Sequence, residues 1–90
     1  MEVSKLLWKF EGDYTFKEMP KYLDQLSVIE IKNSITLDFS GAKNIDTSIL
    51  SLIFEIKRKV KLSGQKVKLN QIPKNIKDLA SLYGVDQYLN

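Results

Sequence analysis

Cysteine and histidine are both missing from the 90 residues of this chain. Without cysteine there is no disulfide framework, no thiolate nucleophile and no zinc–thiolate centre, and nothing argues for an oxidising compartment. Without histidine the commonest general base and the commonest metal ligand are gone, which leaves carboxylates, hydroxyls and lysines as the only catalytic groups. Most hydrolase and metalloenzyme chemistries are thereby excluded. Proline (2) and glycine (4) are sparse, so no linker or low-complexity segment divides the chain. Gly12, Gly41, Gly64 and Gly84 each stand alone as a turn or cap, and none belongs to a glycine-rich phosphate loop. Nucleotide chemistry is therefore expected to belong to a partner. Apolar runs are only a few residues long, far short of the roughly 20 that a spanning helix needs. Met1-Glu2-Val3-Ser4-Lys5 lacks the basic-then-hydrophobic order of a secretory signal, and a cytoplasmic protein is expected.

What is present fits one ordered α/β domain over residues 1–90. Hydrophobic residues make up 43% and charged residues 28%, an ordinary balance for a folded protein. A chain of this size buries roughly 60–65% of the surface it exposes when unfolded, enough for one core. The charge is uneven. Residues 1–46 carry 6 Lys/Arg and 8 Asp/Glu, net −2, whereas residues 47–90 carry 8 and 3, net +5. Such asymmetry points to one basic face.

Leu6, Trp8 and Phe10 have the period of two of a half-buried strand, and Glu11-Gly12-Asp13 reads as the turn that ends it. Phe16, Met19, Leu23 and Leu26 then follow helical spacing, with Thr15 as a cap. Pro20 makes either the first turn irregular or the start fall near Met19. Val28 to Lys32 reads as a helix end or loop. Ile35, Leu37 and Phe39 alternate with Thr36, Asp38 and Ser40 as a second strand, closed by Gly41. Asp46-Thr47-Ser48 opens a long apolar helix that Ser63-Gly64 stops. Val67 and Leu69 form a third strand, and Pro73 opens a last helix bearing Ile76, Leu79 and Tyr83, with Gly84 just past its end. The order β-α-β-α-β-α predicts a mixed, largely parallel sheet covered by helices.

The stretch Leu37-Asp38-Phe39-Ser40-Gly41 followed by Ile45-Asp46-Thr47-Ser48-Ile49-Leu50 resembles the central signature of STAS domains, and the resemblance extends over roughly residues 34 to 89. Within that family the chain looks most like the MlaB-like branch. Threonine stands at the key site in Asp46-Thr47, Leu79-Ala80-Ser81-Leu82-Tyr83 is similar to that branch's last helix, and Met19-Pro20-Lys21-Tyr22 resembles its first. The resemblance implies a STAS-like fold and a non-catalytic cytoplasmic subunit without a cofactor, bound to the ATPase of an Mla-type lipid-transport ABC complex at the inner membrane. In other branches the hydroxyl after the signature aspartate is phosphorylated by a partner kinase, as in anti-sigma-factor antagonists; here that residue is Thr47. Ile49 stands where the family usually keeps glycine, so a partner approaching closely there is expected to meet a branched side chain.

Asp46, Thr47 and Ser48 coincide with a helix N-terminus, whose unpaired amides favour an anion or an acceptor. Capping by Asp46 alone accounts for one of the three, at about 1 kcal/mol. Thr47 and Ser48 are then candidates for partner contact, and Thr47 for phosphorylation, which would place about −2 charge beside Asp46 as a repulsive switch. Thr47, Leu50, Phe54, Arg58 and Lys61 share one stripe of the helix. Thr47 and Phe54 are the candidate anchors there, and Lys57, Arg58 and Lys61 a basic rim that steers association; alternatively, Leu50 and Phe54 are core and the cations a solvated face. The wider basic set, with Lys59, Lys66, Lys68, Lys74 and Lys77, invites a nucleic-acid reading. No nucleic-acid module is recognisable and no aromatic platform forms, so no direct nucleic-acid contact is expected, and a membrane only through the transporter. Trp8 and Tyr83 are assigned to packing. Asp38 and Asp46 have local structural roles, which leaves no paired acid–base site.

Overall fold

In a computed structural model of the chain, which describes residues 1–89, four strands form one sheet. In chain order the elements are β1 (Glu2–Val3), β2 (Leu7–Tyr14), α1 (Met19–Ser27), β3 (Ile35–Ile45), α2 (Ser48–Leu62), β4 (Val67–Asn70) and α3 (Lys74–Leu82), then a 3-10 helix over Asp86–Leu89. The strands lie side by side in that same order. β1 runs antiparallel to β2, and β2, β3 and β4 run parallel to one another. The fold is the mixed, mostly parallel α/β arrangement that the alternation of periods predicts.

Alternation along the strands divides the sheet into two faces. Trp8, Phe10, Ile35, Leu37 and Phe39 are buried, while Lys9, Ser40 and Lys68 between them are exposed and Thr36 and Asp38 half-exposed. The helices therefore cover one face and leave the other to water. The buried face meets Ile49, Leu52, Ile53, Ile56 and Val60 of α2 in one core. Aromatic rings fix α1 against the end of β2: Tyr14 and Tyr22 stack at 4.4 Å between centroids, and Phe10 lies 5.0 Å from Tyr14. The buried Tyr14 hydroxyl accepts the Glu11 amide at 3.1 Å, and burial raises its pKa well above the usual tyrosine value. The Tyr22 hydroxyl donates to the Asp13 carbonyl at 3.0 Å.

Several expectations are corrected. Glu11-Gly12-Asp13 does not end the first strand, which runs on to Tyr14. Between Lys9/Asp38 and Glu11/Gly41, and again between Gly12/Ala42 and Tyr14/Ile45, β3 holds one residue more than β2. These are bulges, and Gly12 takes φ +86° at the second of them. The composition of a bulge and of a turn is the same, so the segment misleads. Gly41 likewise lies inside β3, which continues to Ile45.

The regular helix starts at Met19 with Pro20 in its first turn, and residues 15–18 close as a separate turn in which the Glu18 carboxylate accepts the Thr15 amide at 3.1 Å. Phe16 is thereby left outside the helix and exposed, and the buried face is Met19, Tyr22 and Leu26, with Leu23 at its margin. Trp8 is core, whereas Tyr83 is 62% exposed, because Gly84 ends α3 one residue later and the chain turns so that Val85 and Leu89 fill in instead. β1 has no counterpart among the expected elements.

Candidate functional site

The overrun of β3 beyond the rest of the sheet carries Asp46 to a corner between three segments. Its amide donates to the Tyr14 carbonyl at 3.4 Å. One carboxylate oxygen accepts the Phe16 amide at 3.0 Å. The other accepts the Ser48 amide at 2.9 Å and the Ser48 hydroxyl. Asp46 thus ties the start of α2 to the turn before α1. The Ser48 hydroxyl does most to hold its carboxyl below the usual carboxylate range; burial opposes it, and the Phe16 and Ser48 amides add smaller lowering contributions.

Thr47 differs from both neighbours. It occupies the cap position of α2, is exposed, and makes no side-chain hydrogen bond to the helix. Ser48 is half-buried and its hydroxyl is already given to Asp46. Of the three polar residues at the helix start, only threonine presents an unengaged hydroxyl among the described residues. Behind it the helix is anchored by Ile49 and Leu50, 0% and 6% exposed. Ile49 therefore meets no approaching partner: its branched side chain points into the core, which corrects the expectation raised by the glycine of the family pattern. Leu50 is core as well.

Farther along α2, Phe54 and Arg58 lie on the same line as Thr47, at i+7 and i+11. Phe54 is half-buried, its ring meeting that of Tyr88 edge-on at 6.1 Å. Arg58 is exposed and paired with Glu55, its Nε 3.0 Å from the carboxylate. Lys57 donates to the Tyr88 carbonyl, and burial lowers its pKa. Lys61 is exposed and has no hydrogen bond or ion pair among the described residues. Phe16 is a further candidate, which the helical spacing hides. It is 67% exposed, and Asp46 fixes its backbone beside Thr47. The one sequence signal for it is Pro20, which separates Phe16 from the regular helix.

Asp38, the second carboxylate of this region, accepts the Ser40 amide at 3.0 Å inside the first bulge. Neither Asp38 nor Asp46 faces the other as an acid–base pair. Among the described residues, no group of three or more acidic residues is placed to hold a metal ion, and no helix is long and apolar enough to cross a membrane.

A family model of the STAS domain matches residues 8–90. The chain is a STAS domain. No curated protein and no solved structure matches it. STAS domains are generally non-enzymatic binding and regulatory domains, and the contacts of Asp46 in this one are structural. Replacing Asp46 with Asn in the STAS domain is expected to cost about 1–3 kcal/mol, since a charged acceptor of two amides is weakened. The sign of the pH dependence follows from its lowered pKa. The contribution is fully present above the unfolded value of 3.8 and is lost as pH falls through the lower folded value. Urea denaturation at pH 6 and pH 3 checks this: the wild type should lose more stability on acidification than Asp46→Asn. The difference will be modest, because the carboxylate is largely open to solvent.

Proposed function

We propose that this STAS domain is a docking subunit that binds, and regulates or stabilises, the ATPase of an Mla-type phospholipid-transport ABC complex. It would then be cytoplasmic, and peripheral at the inner membrane through its partner. The observation that carries the reading is the corner at the start of α2, where Thr47 is exposed with a hydroxyl that makes no hydrogen bond among the described residues, and where Asp46 holds the backbone of the exposed Phe16. A rigid corner with an aromatic anchor and an unsatisfied hydroxyl suits a protein partner, because little conformational entropy is lost when it is gripped. The threonine at this position and the Leu79–Tyr83 stretch are the features that favour the MlaB-like branch. Arg58 and Lys61 lie along the same helix and would steer an acidic surface toward it.

A second reading is a switch of the anti-sigma-factor-antagonist type, in which a kinase phosphorylates Thr47. The free hydroxyl supports it too, since a phosphate there would sit at a helix N-terminus.

The test uses the wild type, Thr47→Glu and Phe16→Ala as immobilised baits, with mass spectrometry of what binds and of the baits themselves. Capture of an ABC ATPase by the wild type, with at least about tenfold weaker capture by both variants, is expected. A phosphorylated wild-type species whose partner differs from that of the unmodified chain favours the switch. If folded Thr47→Glu and Phe16→Ala keep every partner at undiminished affinity, docking at this corner is wrong.

A further inference from the structure

A groove of about 620 Å³ runs between α2 and the C-terminal segment. Phe54, Val60, Val67 and Val85 form its floor and Tyr88 one wall. Lys57, Arg58 and Lys61 line its rim, Gln65 and the Tyr88 hydroxyl are its neutral polar groups, and among the described residues no carboxylate lines it. Its size is that of a small-molecule site, roughly 300–1,000 Å³.

We propose that this groove binds a long-chain carboxylate amphiphile, its acyl chain on the Phe54–Val67–Val85 floor and its head group between Lys61 and Lys57. Charge complementarity selects the head. Glu55 already occupies Arg58, whereas Lys61 is unpaired among the described residues and Lys57 spends one donor on the Tyr88 carbonyl, leaving two. Burial disfavours the charged form of Lys57, and an anion beside it offsets that loss of water. The floor selects the tail. A peptide entering the groove would strip water from its N–H groups and find acceptors only in Gln65 and the Tyr88 hydroxyl among the described lining, since the rim cations only donate, a penalty of about 1–3 kcal/mol for each unmet group. An acyl chain has no such groups, and each buried methylene contributes about 0.8 kcal/mol.

The comparably large groove between α1 and α2 lacks this character: Glu55 stands opposite Arg58 and Lys59 in its lining, with Ser27 and Ser51 between the leucines. It serves as an internal control. The groove shares Arg58 and Lys61 with the surface proposed to steer the partner, but Phe16, Asp46 and Thr47 of the docking corner are not in its lining, and Phe54 is turned toward Tyr88.

The experiment is a titration of the whole chain with dodecanoate, below its micelle-forming concentration, followed by amide NMR. Saturable shifts around Phe54, Lys61, Val67 and Val85 are expected. Dodecyltrimethylammonium shares the tail and butyrate the head, and each should bind at least about tenfold more weakly, as should Lys61→Glu. Lys9→Glu, on the open face of the sheet, should bind like the wild type. The amide spectrum of each variant reports its fold directly. Unchanged affinity in Lys61→Glu, equal binding of the cationic amphiphile, or shifts confined to the α1–α2 groove would each overturn the proposal. So would displacement of dodecanoate by an acidic amphipathic peptide that binds more tightly, which would make the occupant a protein. Loss of ATPase capture in Thr47→Glu leaves this titration unaffected, so the two readings fail separately.

Discussion

Ile49→Gly is expected to destabilise the domain by about 3–6 kcal/mol. Removing a fully buried isoleucine side chain costs about 2–5 kcal/mol through lost transfer energy and the cavity left behind. Glycine in a helix adds about 1 kcal/mol relative to alanine. Ile49 is 0% exposed in the first turn of α2, and the loss falls where the helix is pinned to the sheet. Domains of this kind are stable by only about 5–15 kcal/mol, so the variant should melt far below the wild type. Thr47→Ala, two residues earlier, removes no hydrogen bond and no buried surface and should stay within about 0.5 kcal/mol. Thermal and urea denaturation of the two variants, side by side, check the contrast. An Ile49→Gly domain within 1 kcal/mol or so of the wild type would mean that the side chain is not core. The contrast bears on the proposed docking, because a helix start pinned to the sheet by Ile49 would hold Thr47 in place for a partner.

The second half of the chain was the more legible in sequence, for reasons that particular residues show. Apolar spacing from Ile49 to Val60 exceeds what a strand could use, and Gly64, at φ +78°, supplies the left-handed stop that the spacing requires. Pro73 at the entry to α3 has a position with one physical meaning. The first half misled wherever one residue type serves two geometries. Glycine at position 12 suits a turn or a bulge, and only pairing with β3 decides between them. Phe16 fits the helical spacing, yet Pro20 cannot donate the hydrogen bond that would join Phe16 to the helix. β1 has two residues, too few to carry a period.

At the corner, polar residues at a helix start were readable as a cluster. Which hydroxyl is free was not, since serine and threonine cap alike and the choice depends on Asp46 reaching across to Phe16, thirty residues away. The bond from Lys57 to the Tyr88 carbonyl is equally non-local, and so is the groove it borders.

Gly41→Val is expected to cost at least about 1–3 kcal/mol, and its effect should reach the corner. A Cβ at position 41 would stand 2.9 Å from the Glu11 Cγ and 3.2 Å from the Phe10 carbonyl oxygen. The Glu11 side chain can swing away. The Phe10 carbonyl belongs to the backbone of β2 and cannot, so branched carbons at this point push β2 and β3 apart beside the first bulge. Asp46 spans the same two strands through the Tyr14 carbonyl and the Phe16 amide, so the strain is delivered to the start of α2. Amide hydrogen exchange should speed up over residues 42–46 in Gly41→Val, and partner capture should fall although Thr47 is intact. Gly64 separates this cause from ordinary glycine strain. Nothing lies within 4 Å of a Cβ built there, and its need is for a positive φ, which asparagine tolerates. Gly64→Asn should therefore be nearly neutral and Gly41→Asn clearly destabilising. If the two asparagine variants unfold at the same urea concentration, close approach of the strands is not what position 41 requires.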